Sequence, residues 1–255
     1  MLVSESYIIA KKAENMMLFK DREEFSGGMR IINVRGNIRS LRKLARDWYG
    51  NDIIIKNPRQ FPEKAQAYIK KYDAVCAQEM LSVLDKTLIL AAQKYKAALP
   101  AEEIYILSDP ISAAAIILKI KGMARLFTVV SPIDSVGKMY DELYFKYGAV
   151  IRHIPYIGSC TQHAVIIKNN GEKDFPHIQD GIYITLDRTK PDEKNVVTAA
   201  DICINDKRTD AFEKALEIRG GAGMYKFLGI LPDNESFVDI NTKCGEIFLL
   251  DTQLL

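Results

Sequence analysis

Ser108, Asp109 and Ser112 fall where an apolar run, Ile104–Leu107, gives way to an apolar helix over Pro110–Lys121. Two hydroxyls beside the free amides of a first helical turn suit a carboxylate or a single phosphate. Asp109 opposes such a charge. As a helix cap followed by Pro110 at the first helical position, it also accounts for the stretch with no ligand at all. Ser131 ends the next apolar run, Leu126–Val130, and Asp134, Tyr156, Asp187, Arg188, Asn205 and Asp206 end others. Open α/β sheets hold their ligands outside the carboxyl ends of their strands, although strand ends are polar in most proteins. The expectation is a small-molecule site lined by Ser108, Asp109, Ser112, Ser131, Asp187, Arg188 and Asn205.

Three other groupings carry chemistry. His153, His163 and His177 share one segment with Cys160, and "CTQH" sets a Cys and a His three apart, a spacing that suits a metal chelate. Closed zinc sites use tighter pairs, so no metal is expected and scattered strand or surface histidines are the alternative. Arg35, Arg39, Arg42, Lys43 and Arg46 recur at helical spacing and read as a solvated face, except that Arg35-Gly36-Asn37 opens the helix and suits an anion. Cys76 and Cys160 invite comparison with two-thiol racemases, but Cys76 lacks the small Asn and Thr neighbours that this needs, and an inert buried thiol is the plainer reading. Cys76, Cys160, Cys203 and Cys244 are scattered without a CxxC pair, which fits a reducing cytoplasm.

These residues need elements to hold them. Met29–Val34 reads as a buried strand, and Asn37 caps a helix with Ile38, Leu41, Leu44, Ala45 and Trp48 on one side, stopped by Gly50. A strand over Asp52–Lys56, a short helix over "PEKAQAYIKKY" and a strand over Asp73–Ala77 follow. The spacing of Leu81, Leu84, Leu88, Ala91, Ala92 and Tyr95 predicts a long helix ending at Pro100, where the boundary between two units, 1–99 and 100–255, is placed. The second unit repeats the pattern: strands at Ile104–Leu107, Leu126–Val130 and "AVIRHIPYI", parallel in one sheet, with a helix around Val136–Tyr147 capped by Gly148. Further sheet strands are read at Gly181–Asp187 and Ala200–Asp206, then a helix over Asp210–Arg219, then short strands to the end.

This second unit resembles the NAD(P)-binding Rossmann superfamily, nearest to two-lobed proteins of the shikimate dehydrogenase, glutamyl-tRNA reductase and dipicolinate synthase type. The resemblance rests on strand-turn-helix-strand order over about residues 100–220 and on "ADICIN". It implies an α/β fold of two lobes, a smaller N-terminal one joined by a long helix to a parallel-sheet lobe. The dinucleotide fingerprint needs glycines for a tight turn and for approach of the pyrophosphate, and a small residue for packing. Ser108, Pro110 and Ala113 occupy those places; the Pro110 ring fills the approach and supplies no N–H. Ser131 stands where an acid would hold a ribose, and the lysine context of shikimate dehydrogenases is missing. The site therefore reads as degenerate: small-metabolite or anion binding without catalysis, no cofactor. The alternatives are an NAD(P)-dependent oxidoreductase and a non-catalytic partner-binding protein.

The 255 residues are 48% hydrophobic and 27% charged, with a formal net charge of +2, an ordinary globular composition that gives no electrostatic case for nucleic acid or membrane. No apolar run approaches the roughly 18 residues of a membrane span, and the first residues do not form a secretory signal. A cytoplasmic protein is expected, with homo-oligomerisation left open.

Overall fold

The structure is a computed structural model that describes residues 7–13, 23–26, 29–72, 77–133, 137–157, 164–169, 181–186, 196–198, 201–231, 233, 235–240 and 244–253. In chain order the first elements are β1 (Tyr7–Lys12), β2 (Glu23–Ser26), β3 (Met29–Val34), α1 (Ile38–Asp47), β4 (Ile53–Ile55), α2 (Glu63–Gln66), β5 (Ile69–Lys71), α3 (Ala77–Ser82) and α4 (Leu84–Tyr95). There follow β6 (Ala101–Leu107), α5 (Pro110–Ile120), β7 (Ala124–Val130), α6 (Gly137–Tyr147), β8 (Ile151–Ile154), β9 (Val165–Lys168), β10 (Ile182–Thr185) and β11 (Val196–Thr198). The chain ends with β12 (Ile202–Ile204), α7 (Lys207–Leu216), α8 (Ala222–Phe227), β13 (Phe237–Ile240) and β14 (Phe248–Leu250).

Two six-stranded sheets and a two-stranded ribbon result. In the second sheet every neighbouring pair is parallel, in the order β11-β10-β9-β6-β7-β8. Counted from β6, that is the 3-2-1-4-5-6 order of dinucleotide-binding sheets, read from its far edge. The order reverses direction between β6 and β9, the topological switch point outside which open α/β sheets hold their ligands. The β6-α5-β7 unit forms because each local signal agrees. Asp109 caps α5, Pro110 presets its first turn, and Ala113, Ile116, Ile117 and Ile120 bury one face against the sheet. Gly122, at φ +83, makes the turn into β7, and Gly148, at φ +69, ends α6 with its N–H on Tyr144 O.

The first sheet runs β2-β3-β1-β4-β14-β5 and is mixed. Its centre, β1, is parallel to β3 and β4, whereas β14 returns from the end of the chain and lies antiparallel between β4 and β5. One face packs on α1 through Leu41, Leu44 and Ala45, and the other packs on α7 and α8 through Phe212, Leu216 and Met224. Tyr7 meets the Phe212 ring edge-on at 4.9 Å. Both ends of the chain thus build the first sheet, a return that the sequence reading did not include. Helix α4 packs against α5, β10 and β13.

Several expectations change. Ala200–Asp206 is not a strand of the parallel sheet: β12 pairs antiparallel with β13, and the sixth sheet position belongs to β11. "PEKAQAYIKKY" is helical only over α2, because Ile69–Lys71 is drawn into pairing with β14, and tertiary pairing overrides a weak local preference. The bridging helix breaks at Val83 and ends at Tyr95, where Lys96 takes a left-handed conformation and Ala97 N–H reaches Ala92 O at 2.8 Å. Of the strand expected over Asp73–Ala77, the first four residues lie outside the described ones, and Ala77 opens α3. The glycine-rich run before the tail leads into a helix, α8. Among the described residues no helix is long and apolar enough to cross a membrane.

Candidate functional site

The carboxyl ends of β6, β7 and β9 carry Ser108, Ser131 and Asn169, all buried. Asp109 stands beside them, and its Oδ1 accepts hydrogen bonds from the amides of Ile111 at 3.1 Å and Ser112 at 3.0 Å. The remaining amides of that turn are accounted for: Pro110 has none, and Ala113 N–H bonds Asp109 O at 2.9 Å. A helix N-terminus binds a phosphate through these same groups. Here the protein's own carboxylate already holds them. Hydrogen bonds from Ser112 and Ile111 keep Asp109 below the ordinary carboxylate range, so it carries its charge at neutral pH.

Asn169 sits across the switch point. Its backbone N–H bonds Leu107 O at 2.9 Å, and its side-chain amide donates to Ser108 Oγ at 3.4 Å, which turns Oδ1 away from that hydroxyl. Among the described residues Asn169 Oδ1 and the Tyr140 hydroxyl are buried with no hydrogen-bond partner. Tyr140, on α6, lies close enough to Asp109 to feel its charge: burial first, then that carboxylate, pushes the phenol up to about 12. The mouth of β6 therefore brings together the Asp109 carboxylate, the Asn169 amide oxygen and the hydroxyls of Ser108, Ser131 and Tyr140. The carboxylate and the amide oxygen only accept and so meet N–H and O–H donors, the hydroxyls can do either, and the carboxylate repels an anion. Farther along the rim the register places Lys168, Thr185 and Thr198 in one row, and Asp201 Oδ2 accepts from Thr198 N at 2.9 Å.

The residues expected from the sequence divide accordingly. Ser108, Asp109, Ser112 and Ser131 are brought together at the ends of β6 and β7, with Ser131 Oγ accepting from Ile133 N at 3.2 Å. Asn205 follows β12 in the ribbon, its N–H on Ser236 O, and is not on the parallel sheet's rim. Asp187 and Arg188 lie outside the described residues, as do Cys76, Cys160, His163 and His177, while His153 is on β8. Among the described residues no cluster of His, Cys, Asp or Glu is placed to hold a metal. Asn169 and Tyr140 were missed. The available signal was "AVIIKNN", an apolar run closing in polar residues as the other strands do.

Two concave surfaces lie on the first sheet. One, of about 980 Å³, runs along α1, where Arg35, Arg39, Arg42, Lys43 and Arg46 are all exposed as a solvated face would have them. The Arg35-Gly36-Asn37 turn is partly closed as an anion site, since Asn37 Oδ1 takes the Ser40 amide at 2.8 Å. The other, of about 760 Å³, opens at the end of β4, where Lys56 pairs with Glu217 at 2.7 Å and Glu246 pairs with Lys71. Neither includes a residue from the mouth of β6, where the buried unpaired oxygens are.

Fold and rim together define a mixed α/β protein with a Rossmann-like parallel sheet. No family model matches the chain, and no curated protein matches it. Among solved structures, the ligand-free form of 5-ketofructose reductase of Gluconobacter sp. strain CHM43 is similar at a TM-score of 0.30 and 13% identity, over 71% of this chain and 78% of that one. A likeness at that level bears on neither substrate nor cofactor.

Proposed function

We propose that the protein binds a small metabolite, uncharged or cationic and bearing N–H or O–H groups, at the mouth of β6, and that it neither holds a dinucleotide in the standard pose nor transfers a hydride. The observation behind this is the Asp109 carboxylate on the first-turn amides of α5. A pyrophosphate there would have to displace a bound carboxylate and then lie beside it, losing two hydrogen bonds and meeting like charge. A donor-bearing ligand meets no such obstacle. It would satisfy Asn169 Oδ1, whose burial without a partner costs about 1–3 kcal/mol.

A panel of NAD, NADP, nucleotides, organic acids, amines, amino acids and polyols, read by thermal shift, tests the proposal. The expected result is stabilisation by a compound of the donor-bearing classes, lost in Asn169→Leu, with no shift from NAD or NADP. Stabilisation by NAD or NADP alone would overturn it. The second reading, an NAD(P)-dependent oxidoreductase, draws support from the strand order of the second sheet.

A further inference from the structure

Away from the rim, two cysteines far apart in sequence meet. Cys203 Sγ, on β12, lies 3.1 Å from Cys244 Sγ in the segment leading to β14. Bonded sulfurs stand about 2.0 Å apart, so closing this contact takes a movement of about one ångström. The surroundings hold the approach. Gly245 N–H bonds Arg219 O at 2.7 Å, and a Cβ at Gly245 would overlap Ile218, so glycine is what lets this segment pack so closely. Gly220 N–H bonds Glu213 Oε1 at 2.7 Å, fixing the loop whose carbonyl lies 3.8 Å from Cys203 Sγ. Cys203 is buried, whereas Cys244 is partly buried. The hydrogen bond from Cys244 and the charge of Arg219 hold the Cys203 thiol below its ordinary range, and Cys244, which keeps the proton, is pushed up.

We infer that Cys203 and Cys244 form a redox-active dithiol that closes to an intramolecular disulfide when it meets a low-molecular-weight disulfide such as oxidised glutathione. Cys244, the less buried of the two, is the sulfur that the oxidant reaches. Cys203, held as thiolate, takes the proton across the 3.1 Å contact as the Cys244 sulfur attacks one oxidant sulfur, which forms a mixed disulfide and releases one glutathione thiolate. Cys203 then attacks the Cys244 sulfur, the protein disulfide forms, and the second glutathione leaves as a thiol with the proton that Cys203 had taken up. Two protein thiols are oxidised and one glutathione disulfide is reduced to two thiols. The bond ties the ribbon strand β12 to the segment that delivers β14 into the first sheet, and so staples the return of the chain.

The test exposes the folded full chain to graded ratios of oxidised to reduced glutathione, followed by acid quenching, intact mass and peptide mapping. The expected product has lost two hydrogens, carries no glutathione and yields one cross-linked peptide joining Cys203 to Cys244. In Cys203→Ser, Cys244 should instead accumulate a stable glutathione adduct. Wild-type protein that keeps both thiols, that holds glutathione stably on Cys244, or whose cross-link joins Cys76 or Cys160 would overturn the inference, and these readings on the wild type do not depend on how the variant folds.

Discussion

Replacing Asp109 with alanine removes the one side chain that caps α5, and with it two hydrogen bonds at 3.1 and 3.0 Å. Losing an N-cap costs about 0.5–2 kcal/mol, and losing a carboxylate at a helix N-terminus costs about 0.3–1 kcal/mol where it is partly exposed. Because α5 buries Ala113, Ile116, Ile117 and Ile120 in the main core, fraying of its first turn is felt by the whole sheet, and a total of about 1–2 kcal/mol is expected. Asp109→Asn keeps the cap and gives up only the charge, so it should lose about 0.3–1 kcal/mol. Urea denaturation at neutral pH separates the two. The folded-state pKa is depressed, so the wild-type advantage over the Asn variant is fully present above the ordinary carboxylate range and disappears as pH falls through the folded value. Equal stability of the Ala and Asn variants at neutral pH, or a wild-type advantage over Asn that survives strong acid unchanged, would refute the capping account.

Two further outcomes follow from the same geometry. Replacing Ser108 and Pro110 together with glycine should destabilise by about 1–2 kcal/mol through a larger unfolded ensemble, measured by denaturation. It should create no NAD affinity by calorimetry, since Asp109 still holds the amides of Ile111 and Ser112. Gly245→Ala should cost about 1–3 kcal/mol by overpacking Ile218, and should slow formation of the Cys203–Cys244 bond by moving the sulfurs apart, measured by thiol trapping.

The β6-α5-β7 unit was legible because its signals are local: an apolar run, a capping Asp, Pro at the first helical position, a helical stripe and a glycine at positive φ. Asn37 and Gly50 marked α1 for the same reason. What escaped depends on partners distant in sequence. β9 and β11 are runs of four and three residues, buried on both faces, and show no alternation that tells a strand from anything else. β5 looks helical until β14, far along the chain, pairs with it. β1, the centre of the first sheet, passed as a short apolar start. The polar rim was anticipated at Ser108, Asp109, Ser112 and Ser131, where residue types alone suffice. Asn169 became visible only through the register that sets the end of β9 beside β6, and Tyr140 only through the approach of its ring to Asp109.

The central claim is that Asp109 has taken over the anchoring groups of a dinucleotide site, and calorimetric titration of the unmodified full chain with NAD and NADP tests it most directly. The account predicts no heat of binding at micromolar protein and ligand, and none in Asp109→Asn, where the cap persists. Micromolar binding by the unmodified protein, with the adenosine half located beside Ser131 in the complex, would contradict it.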